Sequence, residues 1–231
     1  QIVSNLLTGE QIAKDGFGNF YPTFSKDGKK VYYISNKSSD YFGPAGIYEY
    51  DLETKKEKNI VGGVRSTFSF IPGQDKIIYA KISDDNKNWY NVHDLFVYDL
   101  TTKDETRLTY NLRANNPSIS NDGKKIVFLF QKDGTTNLGS IDVDGKNFKR
   151  LTFFENGEQV YNPKYSTDDS YIIFDYSYAN TRDIAKVNSD GGNVEFIIAT
   201  DNDERNPAFD KEGNLIYSSD ETGIYNIYSY D

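Results

Sequence analysis

Apolar and polar positions along this chain change character every few residues, in two alternating styles. Runs such as Val31-Tyr32-Tyr33-Ile34 and Ile126-Val127-Phe128-Leu129 are apolar without interruption, as strands covered on both faces are. Runs such as Ile47-Tyr48-Glu49-Tyr50-Asp51, Leu95-Phe96-Val97-Tyr98-Asp99, Ile184-Ala185-Lys186-Val187-Asn188 and Ile227-Tyr228-Ser229-Tyr230-Asp231 alternate. Alternation of period two predicts strands with one face in the core. Asp27-Gly28, Asn121-Asp122-Gly123 and Glu212-Gly213 precede the apolar runs and predict tight hairpin turns, where Gly supplies a positive φ.

These strands belong to a repeat. Anchors at Pro22, Phe68, Pro117, Pro163 and Pro207 are spaced 46, 49, 46 and 44 residues apart. Each unit reads as strand A (Pro-x-aromatic-Ser), a tight turn, apolar strand B, a variable loop, alternating strand C, a tight turn and strand D. A period of this size with four short strands predicts an all-β propeller of four-stranded antiparallel blades. The Pro is expected at the opening residue of strand A, where no ladder donor is needed. The blades fall at about 21–61, 66–109, 116–152, 162–198 and 206–231, within a single domain over 1–231.

Ten residues separate the end of strand C from the end of strand D in four units: Asp51 to Val61, Asp99 to Thr109, Asp142 to Thr152 and Asn188 to Ile198. The fifth unit stops at Asp231, and Val3-Ser4-Asn5-Leu6-Leu7-Thr8 has the Leu-Thr ending of a strand D. Residues 1–8 are therefore expected to close a five-bladed ring as the outer strand of the last blade, removing an open edge. The competing expectation is a chain cut from a longer array, with further strands beyond it.

The pattern Pro-x-aromatic-Ser-x-Asp-Gly, apolar run, Ile-Tyr-x-x-Asp, then Leu-Thr resembles the TolB-type repeat, a WD-repeat-like propeller family. Tyr21 to Asp51 is its cleanest copy. The second unit departs with Pro72-Gly73-Gln74-Asp75, and the fourth with Asp168-Asp169-Ser170 and Asn188. The resemblance implies a bacterial repeat protein and leaves function open, because the family includes periplasmic partner-binding propellers and non-catalytic propellers of serine peptidases.

Composition narrows the chemistry. A net charge of −9 argues against nucleic acid and anionic membrane surfaces as partners. No apolar window reaches the length of a membrane span, and no signal peptide is evident. With no Cys there is neither a disulfide nor a thiolate nucleophile. No Met occurs, so residue 1 is not expected to be a translation start. A trimmed end fits an exported protein, periplasmic or secreted, and fits a cut fragment equally.

Catalytic constellations are missing. There is no Gly-x-Ser-x-Gly elbow, the single His93 makes no multi-His site, and of the strand A segments only the last carries an acid, Asp210. Asp203 and Glu204 precede that strand near the channel mouth. Ser83-Asp84-Asp85-Asn86 and Asp201-Asn202-Asp203-Glu204 offer hard oxygen ligands without calcium-loop spacing. The expectation is no catalytic residue, no metal, no cofactor and no enzyme activity within this chain.

Strand order puts the B–C and D–A loops at one end of every blade, and loop length varies there. Those loops are rich in aromatics, Phe17, Tyr41, Phe42, Trp89 and Tyr90 with Phe20, Phe153 and Phe154, as on a surface that holds a partner. Some are equally expected to fold back as caps on their own blades. The reading that results is a monomeric scaffold that binds a protein or peptide through this face. The alternatives are a carbohydrate-binding propeller, with Trp89, Tyr90 and Tyr41 as stacking platforms, and an accessory propeller of an enzyme whose catalytic domain lies outside the chain.

Overall fold

The computed structural model describes residues 12–13, 17–38, 44–83, 92–179 and 181–230, with the side chain of Arg65 left aside. Every regular element among them is a β-strand. The chain divides into two compact units, residues 1–64 and 65–231.

In the first unit β1 (Asn19–Phe24), β2 (Lys30–Ser35), β3 (Ala45–Asp51) and the beginning of β4 (Glu57–Phe70) are antiparallel neighbours in that order. Val31, Tyr33, Tyr48 and Tyr50 form its buried cluster. Strand C alternation fails here, since Glu49 is buried with its apolar neighbours. Its carboxylate accepts from Tyr32 Oη at 2.5 Å and pairs with Lys58 and Lys30 at 2.9 and 3.0 Å. Burial pushes the Glu49 pKa up, but those three donors outweigh it and hold the group below its usual range.

The second unit contains the end of β4 with β5 (Lys76–Ile82), β6 (His93–Asp99) and β7 (Glu105–Arg107). Two four-stranded blades follow, β8 (Asn115–Ile119) to β11 (Lys149–Arg150) through β9 (Lys125–Lys132) and β10 (Thr135–Asp142), and β12 (Gln159–Tyr165) to β15 (Glu195–Ile198) through β13 (Tyr171–Tyr178) and β14 (Thr181–Asn188). The last sheet has three strands, β16 (Glu204–Phe209), β17 (Leu215–Ser219) and β18 (Asn226–Tyr230). The outer strand expected at Val3–Thr8 lies outside the described residues.

The uninterrupted apolar runs are explained by two-sided burial. On β9, Ile126, Phe128 and Phe130 join the cluster of Ile78, Leu95 and Leu108, whereas Val127 and Leu129 join Ile172, Phe174 and Leu151. Likewise Ile172 and Phe174 of β13 face the third blade, and Ile173 packs with Leu215 of the fifth. Each such side chain contributes about 1.5–3 kcal/mol when fully covered. The same sandwiching overrides alternation on β10, where Thr135 to Ile141 are all buried.

Proline does not open strand A. It sits inside the strand, at a bulge that recurs with one geometry. Phe20 pairs with Ile34 and Thr23 with Tyr32; Asn115 with Leu129 and Ser118 with Val127; Tyr161 with Asp175 and Lys164 with Ile173; Arg205 with Ser218 and Ala208 with Ile216. In each case strand A carries one residue more than strand B, and the pair Tyr21-Pro22, Asn116-Pro117, Asn162-Pro163 or Asn206-Pro207 falls in the gap. The residue before proline takes a positive φ of 55°, 48°, 49° or 56° respectively. Proline has no N–H for the ladder, and a bulge removes the need for one. Asn tolerates the left-handed region better than other non-glycine residues, which suits it to three of the four sites.

The A–B turns repeat equally. Ser25, Ser120 and Ser166 donate to Asp27, Asp122 and Asp168 at 2.6, 2.7 and 2.6 Å. In the fourth blade Asp169 replaces the turn glycine and still takes a φ of 60°. Its carboxylate accepts the backbone N–H groups of Asn121 and Asp122 at 2.7 and 2.9 Å and the Asn121 amide at 2.9 Å, tying this turn to the third blade's. Asp169→Ala keeps the strained φ and removes the acceptor, so it should destabilise the protein by about 1–3 kcal/mol in urea unfolding. An unchanged midpoint would show that the bridge contributes nothing.

Candidate functional site

In the second and third blades the B–C and D–A ends share a repeated polar cap. Asp94, at the head of strand C in the second blade, is fully buried. One carboxylate oxygen accepts from Thr109 Oγ1 at 2.8 Å and Leu112 N–H at 3.3 Å. The other accepts from Arg107 Nη2 at 2.8 Å and Asn111 N–H at 3.0 Å. In the third blade Asn137 takes the same place, accepting from Thr152 Oγ1 at 2.9 Å and Phe154 N–H at 2.8 Å. Leu-Thr at the end of strand D thus has a stated job: Thr109 and Thr152 join the strand C head to the D–A connection, fixing that loop to the blade.

Fixed loops hold fixed side chains. The Arg107 guanidinium lies 4.4 Å from the Tyr110 ring, and that of Arg150 4.7 Å from Phe153. Nε of each arginine donates to the Thr109 or Thr152 carbonyl at 2.8 or 2.7 Å, setting the plane that stacks on the ring. Tyr110 and Phe153 are 64% and 66% exposed, so the rings end in solvent. Two further pairs stand at the same end of later blades: Arg182 on Tyr161 at 4.0 Å and Arg205 on Tyr225 at 5.1 Å. Each stack adds about 0.5–1 kcal/mol where exposed.

Between the last two blades the face turns acidic. Asp175 on β13 is fully buried, accepts from Asn162 Nδ2 at 3.0 Å and Asn206 N–H at 3.1 Å, and lies 3.6 Å from Arg182. Burial pushes its carboxyl up to about 7, against the pull of Asn162, Arg182 and Asn206. Asp203 chelates Arg205, with Nε donating at 2.8 Å, and accepts from Tyr225 Oη at 2.9 Å; its pKa is lowered, chiefly by Arg205. Burial and the Asp203 charge raise Asp183, and burial and the Asp183 charge raise Glu204. Of the two acids expected to precede the last strand A, Asp203 does so and Glu204 is the first residue of β16.

Of the aromatic residues expected to bind a partner, Phe17 is described and 46% exposed in the first unit. Tyr41, Phe42, Trp89 and Tyr90 lie outside the described residues. Phe20 belongs to β1 and not to a loop. Phe154 folds back onto the core beside Tyr176, with ring centroids 5.2 Å apart. The sequence reading passed over the arginines and Tyr110, although Arg107-Leu108-Thr109-Tyr110 and Arg150-Leu151-Thr152-Phe153 align as one repeated tetrad. Among the described residues no group of three or more His, Cys, Asp or Glu is placed to hold a metal, and no helix is long and apolar enough to cross a membrane.

Asp175 makes stability depend on pH with a definite sign. Its folded pKa lies above the ordinary 3.8, so the folded state keeps a proton that the unfolded chain releases. Protonation therefore favours the fold fully below about pH 4, and the contribution is lost as pH rises through about 7. Asp175→Asn should gain stability relative to the parent protein between pH 5 and 8, by a few kcal/mol at most. Thermal melts at both pH values measure this, and a difference that does not grow with pH contradicts it.

The TolB beta propeller domain family matches residues 10–231. In fold the chain is similar to TolB from Acinetobacter baumannii, with a TM-score of 0.74 and 21% identity over 95% of this chain and 53% of that one. A putative TolB from Agrobacterium tumefaciens gives 0.73 and 20% over 93% and 74%. A prolyl endopeptidase structure gives 0.67 and 14% over 94% and 34%. The chain thus spans about half the length of the Acinetobacter protein. No curated protein matches it. With the repeat, the four-stranded blades and the family match in agreement, the chain belongs to the TolB β-propeller family.

Proposed function

We propose that the chain is a non-catalytic binding propeller that holds a protein or peptide partner on its B–C and D–A face. One observation carries this reading: four arginines lie on aromatic rings at that end of the second unit, two of them fixed by the Asp94 and Asn137 caps. Arginine and aromatic side chains dominate protein interfaces, and here their ordering cost is met before a partner arrives. In this reading Phe17, Tyr41, Phe42, Trp89 and Tyr90 extend the same surface, and the protein works outside the cytoplasm as a monomer.

We further propose one domain of five blades over 1–231, with Val3–Leu7 as the missing outer strand of the last. The support lies on β18. Ile227 is 80% exposed, whereas its strand C counterparts Ile47, Leu95, Leu138 and Ile184 are fully buried. A second reading, an accessory propeller of a larger enzyme, is favoured by the likeness to a prolyl endopeptidase of which this chain spans a third.

Replacing Tyr110 and Phe153 together by Ala should weaken partner capture from native extract by about 1–4 kcal/mol. Lys124→Ala, at the opposite end of the blades, should leave it unchanged. Equal capture by all three proteins removes the face from consideration. Deleting residues 1–8 should cost roughly 2 kcal/mol or more, the scale of uncovering one large aliphatic side chain. An unaltered denaturation midpoint rules out the closing strand.

A further inference from the structure

Of the four arginines stacked on rings, three are answered by a carboxylate of the chain itself and one is not. Arg107 Nη2 donates to Asp94 at 2.8 Å, Arg205 Nε to Asp203 at 2.8 Å, and Arg182 lies 3.6 Å from Asp175. Arg150 pairs with no carboxylate among the described residues. Its Nε donates to the Thr152 carbonyl at 2.7 Å and its Nη2 to the Phe154 carbonyl at 3.2 Å, both uncharged acceptors.

The difference between Arg107 and Arg150 comes from one change in the cap. Leu95 and Leu138 hold the same place, since each N–H donates to its strand D threonine at 2.9 Å and each carbonyl accepts from Leu108 or Leu151 at 2.8 Å. The register agrees: Arg107 pairs with Phe96 and Arg150 with Gly139, so Asp94 and Asn137 are equivalent. Asn137 Oδ1 accepts from Thr152 and from Phe154 N–H, which fixes the orientation of its amide. The oxygen of Asp94 that receives Arg107 is therefore an NH2 group in the third blade. That group donates to the Phe154 carbonyl at 3.1 Å, the acceptor that Arg150 also uses. A donor cannot receive a guanidinium, so the charge of Arg150 is left uncompensated. Arg150 is half-buried and lies 4.7 Å from the Phe153 ring and 5.9 Å from that of Phe130. Partial withdrawal from water strengthens the attraction of such a cation for an anion.

We propose that Arg150 is an anion subsite of the binding face and takes a carboxylate of the bound partner, an Asp or Glu side chain, in the role that Asp94 has for Arg107. The proposal rests on the partner-binding reading and names the chemistry the partner must bring to the third blade. Two N–H groups of the guanidinium serve the Thr152 and Phe154 carbonyls, and the others are left for a planar acceptor with two oxygens. The Phe153 ring beside it is open to solvent, and its stack with Arg150 orders the fork before a partner arrives. A neutral amide of the same shape brings no charge to answer the guanidinium.

The full chain, labelled with 15N, is titrated with N-acetyl-glutamate amide, with N-acetyl-glutamine amide as the uncharged control, and with inorganic phosphate. The glutamate probe is expected to move the Arg150 Nε–H and Phe153 amide signals in a saturable way, and the glutamine probe to move neither. Asn137→Asp supplies the internal carboxylate of the second blade and should weaken the glutamate probe about tenfold or more. Arg150→Gln, read at the Phe153 amide, should do the same, and it keeps the test decisive if Asn137→Asp does not fold. Lys146→Gln, in a C–D turn at the opposite end of the blade, should leave the response unchanged. Equal response to glutamine, a tighter response to phosphate than to glutamate, or full affinity in either Asn137→Asp or Arg150→Gln overturns the subsite. Because the probes are small molecules, these outcomes stand whether or not an extract yields a partner. Failed capture with a positive titration sinks only the wider reading, and the reverse sinks only the subsite.

Discussion

A proline inside strand A sets the terms for the rest of this protein. It cannot donate to the ladder, and an unpaired position in a buried strand would cost about 1–3 kcal/mol. The chain absorbs it as a bulge, with the preceding residue turned to positive φ at Tyr21, Asn116, Asn162 and Asn206. That turn redirects the amide of the same residue away from strand B. Asn116 N–H then finds Ser66 Oγ at 3.1 Å, and Asn206 N–H finds Asp175 at 3.1 Å, each acceptor belonging to the preceding blade. The bulges thus become the polar stitching between blades of the second unit. Asp175 is buried because it serves this stitching, and burial is what brings its carboxyl near neutrality.

The face proposed for binding has a separate origin, in the heads of strands C and the ends of strands D of the second and third blades. There a buried Asp or Asn bonds the threonine of strand D and the first amides of the next loop. Loops fixed in this way present arginine–aromatic stacks with little freedom left to lose.

The repeat, the strand types and the turn residues were legible in the sequence because each depends on local chemistry. Two-sided apolar runs and Asp-Gly turns correspond to observed elements; of the strand D ends expected from the ten-residue interval only Ile198 is an observed strand end, β4 running on to Phe70 and β7 and β11 stopping at Arg107 and Arg150. The bulge was not legible: Pro inside a strand and Pro opening one leave the same mark on a sequence, and register alone separates them. Burial of Glu49 was hidden for a related reason, since alternation assumes a solvated face that a sandwiched blade lacks. The Arg-Leu-Thr-aromatic tetrads were in plain view. Their meaning depends on Asp94 and Asn137, some 13 to 15 residues away, which only the fold brings beside them.

The central claim is that the proline bulge, not an unbroken ladder, shapes strand A. The most direct test is the backbone of Asn116, Asn162 and Asn206 in solution. Positive φ brings the amide and α protons of one residue close, giving a strong intraresidue cross-peak and a reduced three-bond coupling compared with extended residues such as Ile173. The account predicts that signature at all three asparagines. Extended-strand couplings there, with Pro117, Pro163 and Pro207 at strand openings, would contradict it.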